Sequence, residues 1–183
     1  IDIFDSIFEE LKNENYIEII DDKYYLKDMY INEKNIVNKL KKINQKEKTI
    51  LKKIDHEIEY LEVENGIKYN ELQKEAIKNA LTENLTIITG GPGTGKTTII
   101  KAIVVLYKRL KKLSYDELIR DLALLAPTGR ASKRMCETTL YPASTIHRFL
   151  KWNKENNTFG ICENNKDKSK LIIVDETSMI DIN

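Results

Sequence analysis

The sequence predicts an α/β protein, a parallel sheet with flanking helices, preceded by a small helical, winged-helix-like module. Three observations carry this. Short apolar runs at 85–89, 122–126 and 171–174 are separated by amphipathic segments, as in strands buried on both faces and joined by helical crossovers. A glycine-rich turn follows the first run directly and opens onto a helical pattern. Upstream of Gly66 the pattern differs: a helix, a hairpin, and then long charged helical stretches.

At 183 residues the chain has room for a small module and part of a larger domain. Its 41% hydrophobic and 32% charged residues suit a soluble globular protein, and no apolar run is long enough for a membrane span or secretory signal. The expectation is a cytoplasmic protein without a membrane partner. Cys136 and Cys162 lack CxxC spacing and complete no metal-ligand pattern with His56 or His147, so both are expected to be ordinary thiols. A formal net charge of +1 supplies no overall field for a polyanion, so any nucleic-acid contact has to be local. The chain begins with Ile1 rather than methionine, which leads us to expect sequence upstream.

Taken in order, Ile3, Phe4, Ile7, Phe8 and Leu11 share one helical face, and alternation through 16–20, a turn at Asp21-Asp22-Lys23 and resumption at 24–26 give a hairpin. From 32 to 61 the pattern is helical, with Ile36, Val37, Leu40 and Ile43 on one face and Ile50, Ile54, Ile58 and Leu61 on another. Interspersed acids make the lysines between 39 and 48 a solvated face rather than a binding patch. Gly66 closes this segment, giving expected domains at 1–66 and 67–183. Beyond it, Asn70 and Gln73 have capping-box spacing, and Ile99, Ile100, Ile103, Val104, Tyr107 and Leu110 form a sheet-facing stripe. The polar stretch 153–169 reads as a long insertion or mobile loop.

The chemistry concentrates at two places. Gly90-Gly91-Pro92-Gly93-Thr94-Gly95-Lys96-Thr97 fits G-x-x-x-x-G-K-[ST] at every fixed position and lies between a strand and a helix. Gly91, Gly93, Thr94 and Gly95 let backbone N–H groups turn inward around phosphate, and the helix start adds its positive dipole end. Lys96 then reaches the β- and γ-phosphates, Thr97 ligates Mg²⁺, and Thr98 adds a hydroxyl contact. The run at 171–174 ends in Asp175-Glu176, where Asp175 is expected to hold the metal and Glu176 to orient or deprotonate the attacking water. An acidic pair at a strand end also caps turns; the upstream loop favours the metal role. Lys96, Asp175 and Glu176 are the expected catalytic groups, and ATP with Mg²⁺ the expected cofactors.

Five stretches in this order resemble the RecD-like DNA helicases of superfamily one, which include the alpha subunit of exodeoxyribonuclease V. They are 70–73 (NELQ), the glycine loop, 126–132 (APTGRAS), 143–148 (ASTIHR) and 174–179 (VDETSM). The resemblance implies a first RecA-like ATP-binding domain over 67–183, truncated after the Walker B strand. It further implies a 5′–3′ DNA helicase or translocase of recombination and repair, with single-stranded DNA and other helicase–nuclease subunits as partners. Carried over by position, Gln73 reads adenine, Thr128, Gly129 and Arg130 grip a DNA backbone, and Ser144, Thr145 and His147 form the next DNA contact. Competing local roles stay open: a helix cap for Gln73, an N-cap with a structural histidine for 144–147, and a solvated face for Lys133 and Arg134. For Trp152 and Phe149, core packing is favoured over base stacking. The family's later motifs do not occur before Asn183, so turnover by these residues alone is expected to be very slow.

Two other classes compete. A P-loop GTPase switch needs Asp-x-x-Gly, whereas Asp175 is followed by Glu176, Thr177 and Ser178. A non-enzymatic DNA-binding or partner-docking module would account for the leading segment and leave the glycine loop without a use.

Overall fold

The computed structural model describes residues 2–49, 51–91 and 93–181. Ile50, expected on one helical face, the side chain of Ile3 and Pro92 of the glycine turn lie outside the described residues. The chain forms two compact units, residues 1–47 with 181–183, and residues 48–180.

The leading unit runs α1 (Asp2–Asn13), β1 (Ile17–Ile20), β2 (Lys23–Leu26) and α2 (Lys27–Asn44), the helix–hairpin–helix order that the periodicity predicts. β1 and β2 pair antiparallel from Ile17↔Leu26 to Ile20↔Lys23. Asp21 and Asp22 between them both take positive φ (48° and 59°), the backbone a two-residue turn needs to match strand twist. Phe8 of α1 packs on Tyr24 with ring centroids 4.4 Å apart, and Lys27 pairs with Glu18.

The second unit opens with α3 (Ile54–Asn65), closed by Gly66 at φ +62°. The helical pattern expected across 32–61 is thus two helices, and the division between units falls at Glu47/Lys48 rather than at Gly66. The reason is packing. Ile54, Ile58 and Leu61 are buried in one cluster with Ile77, Leu81, Ile103, Val104 and Leu106 of the next two helices. Arg109 pairs with Glu64 and lies 5.3 Å from the Tyr60 ring centroid, adding a polar tie along the same seam.

The remaining elements are α4 (Glu71–Thr82), α5 (Lys96–Lys111), α6 (Tyr115–Asp121), β3 (Leu122–Ala126), α7 (Gly129–Thr139), β4 (Ala143–Thr145), α8 (Ile146–Phe149), β5 (Trp152–Asn153), β6 (Thr158–Phe159) and β7 (Leu171–Val174). β4, β3 and β7 form a parallel sheet in that order. Every residue of the central strand β3 is buried, as its unbroken apolar sequence requires. Ile99, Ile100, Ile103, Val104 and Tyr107 of α5 are buried in the core, while Leu110 is partly so.

Two expectations are corrected. The run 85–89 forms no strand: its burial is one-sided, with Ile87 75% exposed and Ile88 packed against the core, whereas a strand covered on both faces would bury both. The third strand is instead β4, too short and mixed to read as an apolar run. The stretch 153–169 is not a plain loop, because β6 within it pairs antiparallel with β5 at its start, Trp152↔Phe159 and Asn153↔Thr158. Among the described residues no helix is long and apolar enough to cross a membrane.

Candidate nucleotide site at the carboxyl edge of the sheet

Parallel strands deliver their carboxyl ends to one edge, and in such sheets that edge is where ligands bind. β3 runs into Thr128, β4 ends at Thr145, and β7 runs into Asp175. The register aligns them, with Leu125 opposite both Ser144 and Val174 and the Asp175 N–H donating to the Leu125 carbonyl at 2.9 Å. A cleft of about 560 Å³ opens there, bounded by Gly93 to Thr98 on one side, by Thr128, Arg130, Ala131, Arg134 and Met135 from the α7 turn, and by Asp175, Glu176 and Met179.

The glycine loop uses its residue types as the motif demands. Gly93 and Gly95 take φ of +75° and +87°, the left-handed region that favours glycine, and a Cβ on Gly95 would stand 2.8 Å from Gln73 Nε2 and displace that amide. Gly95 is also the N-cap of α5, and no side chain caps that end. The Ile99 N–H makes the first bond back, to the Gly95 carbonyl at 2.9 Å, which leaves the first-turn donors without intrahelical partners and the dipole end uncovered. An anion suits this end. Lys96 Nζ donates to the carbonyls of Gly90 (2.5 Å) and Gly91 (2.8 Å), and Thr94 Oγ1 donates to Gly91 O at 2.9 Å. The loop is thus folded on its own lysine.

Across the cleft, Asp175 Oδ1 accepts from the Glu176 N–H at 2.9 Å. Glu176, two residues past β7, takes φ +54°, a left-handed conformation uncommon for a non-glycine residue, and lines the cleft. The residues suit an Mg²⁺–triphosphate: cations on Lys96, Arg130 and Arg134, uncapped amides on α5, and hard oxygen donors on Thr97 and Asp175 at one cleft. Among the described residues no three His, Cys, Asp or Glu side chains cluster as a protein-only metal cage. A cation here would therefore rest on Thr97 and Asp175 together with phosphate oxygens, the usual way Mg²⁺ is held.

Of the other expected residues, Gln73, Gly129, Ser144, Thr145 and His147 do not line the cleft, whereas Thr128 does. Gln73 closes the capping box of α4: its Oε1 accepts from Asn70 N–H (3.0 Å), and Asn70 Oδ1 accepts from Gln73 N–H (2.9 Å). Its Nε2 also donates to the Thr94 carbonyl at 3.1 Å, joining α4 to the loop. Thr128 Oγ1 caps α7 by accepting from Ala131 N–H (3.2 Å), and Thr145 Oγ1 caps α8 by accepting from Arg148 N–H (3.3 Å). Gly129 is the first residue of α7, and Ser144 Oγ donates to the Thr145 carbonyl at 3.4 Å. His147 is exposed, 6.2 Å from the Trp152 ring centroid and 6.3 Å from that of Phe159. Trp152, expected in the core, is 36% exposed, because a two-residue strand at the end of α8 holds it clear of the sheet; Phe149 is half-buried.

The sequence reading leaves Arg134 open to a solvated face and gives Ala131, Met135 and Met179 no role, and all four line the cleft. The legible signal for Arg134 was its position four after Arg130, which puts the two on one helical face.

A glycine loop feeding an uncapped helix, faced across a cleft by an acidic pair at the end of a parallel strand, defines a P-loop nucleotide-binding domain with a partial RecA-like core. Residues 73–183 match the family model described as an AAA domain, and the chain belongs to that family. Among curated proteins it is similar to the RecBCD enzyme subunit RecD of Buchnera aphidicola subsp. Schizaphis graminum, with 34% identity over 88% of this chain and 28% of that protein. The RecD subunit of Mycolicibacterium smegmatis is 35% identical over 61% of this chain and 23% of its own length. The ATP-dependent RecD2 DNA helicase of Deinococcus radiodurans is 35% identical over 61% of this chain and 14% of its own. These matches bear out the RecD-like resemblance, and the chain spans less than a third of the length of these relatives.

Proposed function

We propose that this chain is the first nucleotide-binding portion of an ATP-driven DNA helicase or translocase of recombination and repair, moving 5′ to 3′ along single-stranded DNA in the cytoplasm. The observation that carries the ATPase half is the uncapped α5 N-terminus, which shares one cleft with Lys96, Thr97, Asp175 and Glu176. Mg²⁺, held by Thr97 and Asp175, would supply charge neutralisation at the β- and γ-phosphates. Gly91, Gly93, Thr94, Gly95 and Thr98 cradle the phosphates, Lys96 leaves the Gly90 and Gly91 carbonyls to meet them, and Glu176 positions water. Gln73 reads the adenine edge with the second Nε2 hydrogen and the second Oε1 lone pair, which its bonds to Thr94 and Asn70 leave unused. The DNA half is supported by similarity to RecD proteins and by the strand-end turn Thr128–Gly129–Arg130, whose guanidinium suits a phosphate backbone, with the hydroxyls of Ser144 and Thr145 and the ring of His147 following the next strand. The subunit relatives suggest partner helicase–nuclease subunits.

The GTPase alternative has no supporting geometry, since Glu176 occupies the position that follows Asp175 and enters a 3-10 turn over Thr177–Met179. The experiment is a linkage titration. Affinity for a fluorescent oligothymidylate is measured with and without saturating Mg-ATP, for the unaltered chain and for Arg130→Ala. We expect nucleotide to change the strand affinity severalfold, a coupling that must be reciprocal, and Arg130→Ala to weaken it. Strand affinity indifferent to both nucleotide and Arg130→Ala would contradict the DNA assignment.

A further inference from the structure

The cleft carries more positive charge than the glycine loop supplies. Lys96 belongs to that loop, whereas Arg130 and Arg134 enter from α7. Packing fixes where the helix presents them. Ser132, Met135 and Thr139 are the buried positions of α7 and set its roll against the core. Arg130, Ala131, Arg134 and Met135 then lie along one stripe that lines the cleft, with the two arginines one turn apart. Met135 is only 1% exposed and still borders the cleft, so the wall beside Arg134 is recessed.

Charges of both signs share this space without meeting. The one acid of α7, Glu137, has its carboxylate 3.9 Å from Lys133 Nζ, on the exposed side of the helix. Among the described residues neither Arg130 nor Arg134 makes a side-chain hydrogen bond or an ion pair, and Asp175 and Glu176 pair with no cation although they line the same cleft. Opposite charges held apart in one cleft leave room for a ligand that satisfies both, an anion that brings its own divalent cation. Lys96 is a point charge at the base of the loop, bonded to the Gly90 and Gly91 carbonyls. A guanidinium is instead a planar fork that takes two oxygens of one phosphate. A triphosphate cradled by the loop sends its free end towards the wall built from α7 and the acidic pair, where a recessed arginine meets a small ligand rather than a polymer backbone.

We propose that Arg134 recognises the terminal phosphate of the bound nucleoside triphosphate and sets the preference of the cleft for triphosphate over diphosphate. The proposal rests on the nucleotide reading above and deepens it by naming the residue that tells the two nucleotides apart, leaving Arg130 to the DNA backbone.

The test compares two nucleotides rather than one. The chain is titrated calorimetrically with the magnesium complexes of ADP and of the β,γ-imido analogue of ATP, beside Arg134→Ala, Arg134→Lys and Lys133→Ala, with melting curves to check the fold. Expected for Arg134→Ala is a loss of about tenfold in affinity for the triphosphate analogue, with ADP affinity and oligothymidylate affinity unchanged. Arg134→Lys keeps the charge without the fork and should fall between; it carries the same comparison should the alanine variant melt early. Lys133→Ala removes a cation from the exposed side of the same helix and should change neither nucleotide affinity. A ratio of the two nucleotide affinities that Arg134→Ala leaves untouched would overturn the proposal while the nucleotide reading stands. So would equal weakening of both nucleotides, or a shift in that ratio matched by Lys133→Ala. Loss of oligothymidylate affinity with the ratio intact would make Arg134 a backbone contact instead. An unaltered chain that binds neither nucleotide would remove the proposal and the nucleotide reading together.

Discussion

The N-termini of α5 and α7 reach the same cleft from neighbouring loops, yet they are finished differently. α5 begins after Gly95, has no side-chain cap, and offers its first amides to whatever anion enters. α7 begins after Thr128, whose own hydroxyl accepts from the Ala131 N–H. The first is built to be completed by a ligand, whereas the second is already half complete and offers mainly the guanidinium of Arg130 and, one turn on, that of Arg134. Anion binding at α5 should therefore be strong and geometrically strict, and at α7 weaker and salt-sensitive.

The largest effect is expected at the strict end. Gly95→Ala forces a side chain into φ +87° and displaces the Gln73 amide from the loop, so nucleotide binding should vanish and thermal stability fall by about 1–2 kcal/mol, read by titration and by melting. Retained binding would mean that the loop is not the phosphate cradle. Asp175→Asn should cost Mg-ATP affinity about 10- to 100-fold while leaving Mg-free nucleotide binding intact, the signature of a carboxylate acting through the metal. At the looser end, Arg130→Ala should reduce the salt slope of single-strand binding by about one. Thr128→Ala should lower stability by about 1 kcal/mol through loss of the α7 cap while Mg-ATP affinity stays the same; a loss of nucleotide affinity there would erase the contrast between the two ends.

The smallest effect concerns what holds α5 in place. Tyr107 donates to Asp121 Oδ2 at 3.4 Å, and burial, reinforced by the charge of Asp121, pushes its phenol up to about 12 from 10.0. The folded state favours the neutral phenol, so this contribution is complete below pH 10 and is lost as pH rises towards about 12. Denaturant unfolding of the unaltered chain should weaken over that interval more than that of Tyr107→Phe. The variant should differ by only about 1 kcal/mol at neutral pH.

The parts of this arrangement that were legible in the sequence are those where one residue type is forced. Glycine is favoured at φ +87°, and only an unbroken apolar run suits β3, buried along its whole length. The Asn70–Gln73 box was likewise readable, because the capping interaction is local in sequence. What could not be read depends on tertiary partners. Residues 85–89 are as apolar as a strand but find no ladder, and Ala143–Thr145 form one despite little apolar signal, because β3 presents an open edge to them. Ile54, Ile58 and Leu61 showed the right face without showing that it packs on α4 and α5. Trp152 was expected inside because large aromatics usually are, and a hairpin of two-residue strands carried it outside.

The central claim is that the empty-handed amides of α5, with Lys96, receive a nucleotide triphosphate. Calorimetric titration of the chain with Mg-ATP, set beside the same titration of Lys96→Ala, tests it most directly. A saturable heat for the unaltered chain that disappears in the variant is the predicted result; indistinguishable heats for the two proteins would contradict it.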